Sequence, residues 1–155
     1  WDGVDFRVLH PGELPTAGDN NRGCVLMLET AGRRVLLTAD IEQLAEQMLS
    51  ATGKDLRADV MLAPHHGSKT SSSLAFLSAV QPSLAIASAG YRNRFHHPAR
   101  VVVDRYGNRG IRLLNTADTG AIRLQLSEAG IREQLAVCEQ PVPWRLGRYR
   151  EYCGN

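Results

Sequence analysis

Residues 59–73 read DVMLAPHHGSKTSSS, and this stretch decides the fold. The apolar run 60–63 stops at Pro64 and is followed by a histidine pair, a glycine and a series of hydroxyl residues. This order predicts a strand, a tight loop and the start of a helix. Open α/β sheets bind ligands beyond the carboxyl ends of their strands, and a helix start suits an anion. Imidazoles beside such a start favour phosphate chemistry, although a surface histidine pair and a simple helix cap fit the same residues.

The composition is that of one soluble globular domain. The 155 residues are 43% hydrophobic and 22% charged, and the formal net charge of +2 is too small to indicate nucleic acid by itself. Six arginines and a single acid lie between residues 92 and 112. Guanidinium groups suit phosphate oxygens, and a solvated face is the alternative. No apolar stretch is long enough to span a membrane, and the start at Trp1 leads us to expect a piece of a longer protein.

The three cysteines show no C-x-x-C spacing, which argues against a structural zinc site. Cys138 and Cys153 can pair in an oxidising compartment, which would leave Cys24 free. The sequence leaves that pairing open.

The rest of the pattern predicts a mixed α/β domain over residues 1–137, followed by a Pro- and Arg-rich surface tail over 138–155. Residues 13–22 are expected to form a loop, and residues 118–120 a hairpin turn. The predicted strands are 5–9, 24–28, 34–38, 59–63, 84–88, 111–114, 121–126 and 131–137. The predicted helices are 41–51, 73–80 and 99–106.

Three loops that carry polar side chains follow three buried strands. Asp40 follows the first, the pair at 65 and 66 follows the second, and the pair at 96 and 97 follows the third. If these strands are neighbours, the side chains converge at one edge of the sheet, where a carboxylate and imidazoles suit a divalent metal. Asp40 alone is equally compatible with a helix cap.

These residues also match a known family in their order along the chain. The matching segments are Asn20 and Asn21, VLLTAD at 35–40, PHHGS at 64–68, NRFHHP at 93–98 and NTADTGAI at 115–122. They resemble the C-terminal metallo-β-lactamase-like domain of ComEC-type competence proteins, which are inner-membrane channels for DNA uptake.

The resemblance implies a four-layer αββα sandwich, of which this chain would be the C-terminal part. It implies manganese or zinc between the two sheets, used to hydrolyse a phosphodiester. Asp40 and His66 would bind the metal, and His65 and His97 would be catalytic. The expected substrate-binding residues are Asn20, Asn21, Ser68, Thr70, Ser71, Arg92 and Arg94.

The chain departs from the family in three places. The H-x-H-x-D-H signature, which supplies most metal ligands in the superfamily, is absent from the sequence. Ala39 stands where the family usually has Gly, which reads as a mild change, and Gly23 stands where it usually has Ser. Because a dinuclear centre needs more ligands than Asp40 and His66, we expect this piece to bind metal weakly or not at all.

The resemblance implies a metal-dependent DNase activity in a longer protein on the periplasmic, outer face of the cytoplasmic membrane. Its partners would be incoming DNA and the transmembrane channel of the same protein. One alternative is a catalytically silent module that guides DNA through Arg92, Arg94, Arg100, Arg105 and neighbouring groups. Another is the same fold acting on a phosphocholine ester, a cyclic dinucleotide or a lactam. Metal identity, strand polarity and oligomeric state are left open.

Overall fold

The computed structural model describes residues 1–12, 18–140 and 146–153. The strands are β1 (Asp5–His10), β2 (Val25–Thr30), β3 (Arg33–Leu37), β4 (Val60–Leu62), β5 (Leu84–Ala87), β6 (Arg112–Asn115), β7 (Ile122–Ser127) and β8 (Gly130–Leu135). The α-helices are α1 (Gln43–Ala51), α2 (Leu74–Val80), α3 (Arg100–Gly107), α4 (Thr116–Thr119), α5 (Ala136–Glu139) and α6 (Leu146–Cys153). Short 3₁₀ helices cover Asn20–Arg22 and Pro64–Gly67.

The described strands form a six-stranded sheet in the order β1 to β6 and a separate β7–β8 hairpin. β1, β2 and β3 pair antiparallel, and β3 to β6 pair parallel. The parallel strands are short apolar runs, as expected for strands that are covered on both faces. Their carboxyl ends therefore lie at one edge of the sheet.

One face of the large sheet is covered by α1, α2 and α3. Alternate strand residues such as Met27, Leu36 and Met61 point into this layer and are fully buried. They belong to one cluster with Phe76 of α2 and Tyr106 of α3. Burying each such side chain contributes roughly 1.5–3 kcal/mol, so this cluster is the main core of the described domain.

The opposite face packs against the hairpin and the last two helices. Val60, Leu84 and Leu114 share a second cluster with hairpin residues and with side chains of α5 and α6. Cys138 and Cys153 form a disulfide that joins these two helices, with the two Cα atoms 5.5 Å apart. The pairing that the sequence left open is therefore present.

Part of this second face is uncovered. The ladder of β1 and β2 pairs Phe6 with Leu28 and Val8 with Leu26. Phe6 is 53% exposed and Val8 is 62% exposed. The hairpin side of the molecule covers the β3 to β6 part of this face, so an apolar strip on β1 and β2 faces outward.

The predicted hairpin turn at 118–120 is wrong. Asn115 accepts a hydrogen bond from the backbone N–H of Ala117 (3.0 Å) and thereby starts α4, so residues 116–119 are helical. The chain then leaves the large sheet, because β6 and β7 belong to different sheets. The actual hairpin joins β7 to β8 and pairs Ser127 with Gly130.

Part of the predicted surface tail packs against the domain. Cys138, Tyr149, Tyr152 and Cys153 contact the second cluster. Residues 141–145 and 154–155 of that tail, and 13–17 of the predicted loop, lie outside the described residues. None of the helices described is long and apolar enough to cross a membrane.

Candidate functional site

The three polar loops converge at the carboxyl edge of the parallel strands. The Nε2 atom of His66 lies 3.4 Å from the Oδ1 atom of Asp40, and both side chains are about half exposed. The ring centroids of His65 and His97 are 5.9 Å apart. Residues that follow β3, β4 and β5 therefore meet in one place, as the sequence predicted. Their chemical roles stay predictions.

The histidine pair after β4 stands in an unusual backbone conformation. His65 and His66 have φ values of +48° and +56°, in the left-handed region that costs an L-residue roughly 1–2 kcal/mol. The His65 N–H donates to the Ala39 carbonyl (3.1 Å), which ties this loop to the strand end that carries Asp40. Strained residues held by their surroundings are typical of functional sites.

The hydroxyl residues of this loop bond within the protein rather than face the cleft. The buried Ser71 hydroxyl contacts the Pro64 carbonyl (2.7 Å) and the Ser68 carbonyl (2.9 Å). The Thr70 hydroxyl donates to Glu42 (2.9 Å) and lies 3.0 Å from the Ser68 hydroxyl. These three side chains shape the loop, and their predicted contact with substrate stays a prediction.

The anion at the start of α2 is a carboxylate of the protein itself. Glu46 is fully buried, and its two oxygens accept the backbone N–H groups of Ser72 (2.5 Å) and Ser73 (2.8 Å). Burial raises the pKa of Glu46, while these bonds and the charge of Arg105 oppose that shift. Glu46 therefore takes up the two N–H groups that precede α2, and the expectation that this helix start binds an external phosphate stays a prediction.

The asparagine pair is divided between the surface and the interior. Asn21 is buried, and its Oδ1 accepts the backbone N–H groups of Glu42 (3.0 Å) and Ala45 (3.3 Å). Asn21 therefore caps the start of α1. The sequence analysis gave this capping role as the alternative function of Asp40. Asn20 is exposed in the preceding 3₁₀ turn.

Asn93 fixes the position of His97. Its Nδ2 donates to the His97 carbonyl (2.8 Å) and the Gly90 carbonyl (3.1 Å), and its Oδ1 accepts the His97 N–H (2.8 Å). A further hydrogen bond, from the Ala99 N–H to the Gly67 carbonyl (2.9 Å), joins this loop to the loop that carries His65 and His66. The loop after β5 is therefore held against the loop after β4.

His97 lies in an environment that disfavours its charged form. Burial lowers its pKa below 6.5, and the neighbouring His65 and His66 lower it further, with Asp40 opposing. The ring is therefore mainly neutral at pH 7. Its Nδ1 and that of His65 are buried without a hydrogen-bond partner within the described ranges. The His65 Nδ1 lies 3.3 Å from a Glu42 oxygen, too poorly aligned for a hydrogen bond.

Asp40 and His66 fit one edge of a metal site. Two ligand atoms about 2.1 Å from a tetrahedral metal lie about 3.4 Å from each other, which is the separation found here. Over residues 1–12, 18–140 and 146–153, no group of three or more His, Cys, Asp or Glu side chains is arranged to hold an ion. Within the described residues, Asp40 and His66 are therefore a candidate ligand pair, whereas a metal needs roughly four ligands.

Comparison with known proteins identifies relatives of the chain. It is 42% identical over 135 residues to the competence protein ComA of Neisseria gonorrhoeae, which covers 86% of this chain and 20% of that protein. It is 39% identical over 120 residues to the ComE operon protein 3 of Bacillus subtilis, which covers 77% of this chain and 16% of that protein. The chain is a relative of bacterial competence proteins.

Further matches agree with this relationship. Recombination protein 2 of Haemophilus influenzae is 36% identical over 137 residues, which cover 88% of this chain and 17% of that protein. This competence-protein relative therefore spans about a fifth or less of the length of the curated proteins that it matches. No family model matches it.

In this chain, a relative of competence proteins, the guanidinium groups of the two arginines predicted to bind substrate lie over aromatic rings. The Arg92 guanidinium lies 5.3 Å from the centre of the Tyr91 ring, and the Arg94 guanidinium 4.6 Å from that of Phe95. Phe95 in turn stacks on His97, with centroids 5.7 Å apart and planes inclined by 18°.

The sequence reasoning missed three residues of this region: Tyr91, Phe95 and Glu46. The only available signal for the two rings was the alternation of aromatic and basic residues in YRNRF at 91–95. Glu46 lies within a regular helical pattern, so nothing in the sequence marks it as a buried carboxylate.

Proposed function

We propose that this chain is part of a DNA-uptake protein of natural transformation, and that the longer protein hydrolyses phosphodiesters of incoming DNA with a divalent metal. The supporting observation is the meeting of Asp40 and His66, 3.4 Å apart, with His65 and His97 at one strand edge in a relative of competence proteins. A carboxylate and imidazoles converging at such an edge suit phosphate chemistry.

The fold that we propose for the longer protein is the four-layer αββα metallo-β-lactamase-like sandwich. Helices on one face of the large sheet and a second, smaller sheet on the other face support it. The exposed apolar strip on β1 and β2 is further support, because additional strands beside the β7–β8 hairpin would cover it.

The proposal assigns a metal-binding role to two of the site residues and a phosphate- or proton-binding role to the other two. A bound manganese or zinc ion would supply an acidified water and neutralise phosphate charge. Asp40 and His66 would hold it together with ligands from elsewhere in the longer protein. His97, neutral and fixed by Asn93, is placed to hydrogen-bond a phosphate oxygen or to take up a proton. His65 lies beside it and would share that task.

We propose the periplasmic, outer face of the cytoplasmic membrane as the location, with DNA and the membrane-spanning part of the same protein as partners. The Cys138–Cys153 disulfide supports this placement, since disulfides persist in oxidising compartments.

The test is DNA cleavage by the longer protein in the presence of manganese or zinc. Asp40→Asn and His66→Asn should each abolish cleavage, and Asp104→Asn, on the exposed face of α3, is the matched control that should retain it. Absence of cleavage with every divalent ion, in a protein shown to be folded, would refute the hydrolase proposal. Lactam, phosphocholine ester and cyclic dinucleotide substrates in the same assay address the other chemistries.

The second candidate is a catalytically silent DNA-guiding module. The observation that favours it is the incomplete metal-ligand set of the described residues. This candidate predicts salt-sensitive DNA affinity without turnover. Calorimetric titration of the chain with manganese or zinc should show weak binding or none. Stoichiometric binding of either metal at low micromolar concentration would contradict this candidate. It would also contradict the interpretation that Asp40 and His66 are the only two ligands among the described residues.

A further inference from the structure

The loop between β5 and α3 exposes two aromatic rings beside the histidine cluster. Tyr91 is 63% exposed and Phe95 is 62% exposed. Each is paired with an arginine next to it in sequence, at 5.3 Å for Tyr91 and 4.6 Å for Phe95. The loop therefore presents flat apolar surface and positive charge together.

The two rings line neighbouring cavities that share Asn93 and His97. Phe95 lines a cavity of about 250 Å³ together with His66, Asn93 and His97. Tyr91 lines a second cavity of about 600 Å³, which also contacts Asn93 and His97. A chain that binds at the histidine cluster therefore has both aromatic side chains close to it.

The loop that carries the two rings is held by contacts with neighbouring residues. Asn93 makes three hydrogen bonds to the loop backbone, and Phe95 stacks on His97. A rigid exposed ring gives large contact area at low cost in conformational entropy. Guanidinium planes stack on bases as readily as on aromatic rings, so either Phe95 or the adjacent Arg94 can meet a flat ligand.

The chemistry of these groups identifies the ligand. Aromatic rings interleaved with arginines bind unpaired nucleobases by stacking while the cations bind the backbone. In a duplex the base faces are occupied by neighbouring pairs and are inaccessible to a side chain. Stacking uses the faces of the bases and not their edges, so binding by these rings tolerates different sequences.

We propose that Tyr91 and Phe95 form a stacking platform for the bases of single-stranded DNA, whose phosphates contact Arg92, Arg94 and the histidine cluster. This inference rests on the proposed function and specifies its substrate class as an unpaired strand.

The test compares two labelled strands of equal length by fluorescence anisotropy: an oligodeoxythymidine and an abasic strand with the same phosphates. The thymidine strand should bind at least about fivefold more tightly, the smallest gain expected from one stacked base. Phe95→Ala and Tyr91→Ala should each lower the ratio of the thymidine-strand affinity to the abasic-strand affinity. Phe95→Trp should preserve it, because a flat ring remains.

Trp1→Ala provides the matched control. Trp1 is 89% exposed and precedes β1, which runs parallel to β3, so it lies at the edge opposite the histidine cluster. This variant should bind both strands as the unsubstituted chain does. Circular dichroism checks that each variant is folded.

The outcomes separate the two proposals. Equal affinity for both strands, with salt-sensitive binding, would overturn the stacking platform and leave the DNA-handling role in place. A thymidine preference that survives in Phe95→Ala and Tyr91→Ala would also overturn it. Absence of binding to either strand would contradict the proposed function, and the stacking platform with it.

Discussion

Gly67 packs directly on Pro98, and this contact joins the two histidine-bearing loops. A Cβ atom built on Gly67 would lie 2.6 Å from the Pro98 Cβ and 3.0 Å from its Cα. Gly67 also has a φ of +84°, which L-residues rarely adopt. The loop after β4 and the loop after β5 can therefore approach only because residue 67 lacks a side chain.

The first prediction is that Gly67→Ala destabilises the chain and separates the loops. The clash and the left-handed backbone together should cost at least about 2 kcal/mol of unfolding free energy. Urea unfolding measures this loss, and DNA cleavage by the longer protein should fall because His97 moves away from His66.

The control is Gly107→Ala at the end of α3. A Cβ there meets no atom within 4 Å, and the backbone does not have a positive φ, so this variant should keep its stability. An unfolding free energy for Gly67→Ala equal to that of Gly107→Ala would contradict the steric argument.

The second prediction concerns Gly23 and Ala39, the two small residues that depart from the family pattern. Ala39 has a φ of +49°, so the change from Gly is not the mild one that the sequence suggested. A Cβ on Gly23 would lie 3.1 Å from both the Ala39 Cβ and the Asn20 carbonyl oxygen, so a residue larger than Gly at 23 crowds Ala39. We therefore expect the two departures to compensate each other in part.

A double-mutant cycle tests this compensation. Ala39→Gly should raise the unfolding free energy by up to about 1 kcal/mol, and Gly23→Ser alone should lower it by about 1 kcal/mol. In the double variant the cost of the Gly23→Ser change should shrink, which gives a favourable coupling of about 0.5–1 kcal/mol in urea unfolding. Strict additivity of the two single changes would show that the Cβ contact is unimportant.

The sequence predicted the eight strands, the helices α1 to α3 and the meeting of the loops, but it missed the helices α4 to α6 and the contacts around the site. The carboxyl ends of β3 and β4 lie at one edge because these strands pair in parallel, which brings Asp40 and His66 near each other. The partners of Ser71 and the burial of Glu46 depend on how α1 packs beside α2, which no local pattern encodes. The hairpin turn predicted at 118–120 was wrong because TADTG also suits a short helix capped by Asn115.

The third prediction is a pH dependence that arises from Glu46. Burial raises its pKa above the usual 4.5, so at higher pH the unfolded chain loses this proton before the folded chain does. The folded state then binds more protons, and its unfolding free energy falls as the pH rises from about 4.5 through the folded-state pKa. Glu46→Gln does not titrate, so the stability of the unsubstituted chain relative to this variant should decline over that range.

Urea unfolding of both chains at a series of pH values measures this difference. Titrating groups that do not interact with Glu46 are common to both chains and cancel, and burial raises the pKa of Tyr106, so its hydroxyl stays neutral over this range. A relative stability that rises with pH would show that the N–H groups of Ser72 and Ser73 outweigh burial. At any pH, Glu46→Gln leaves one of these two donors without an acceptor, which should cost about 1–3 kcal/mol.

The fourth prediction concerns the disulfide that joins α5 to α6. Cys138 and Cys153 are 15 residues apart, and closing a loop of this length stabilises a fold by about 3 kcal/mol on the chain-entropy account. Cys138→Ser with Cys153→Ser, or a reducing agent, should lower the melting temperature by several degrees. Because Tyr149 and Tyr152 of α6 pack on the second cluster, the loss should appear as exposure of tyrosine near that helix.

Cys24→Ser is the matched control, since Cys24 is exposed and free in the structure. It should melt as the unsubstituted chain does and should remain sensitive to reductant. The disulfide lies on the sheet face opposite α1 to α3, whereas Asp40 and His66 sit at the strand edge. Reduction should therefore loosen α6 before it changes the separation of the site residues, and DNA affinity that falls in step with reduction would show that α6 supports the site directly.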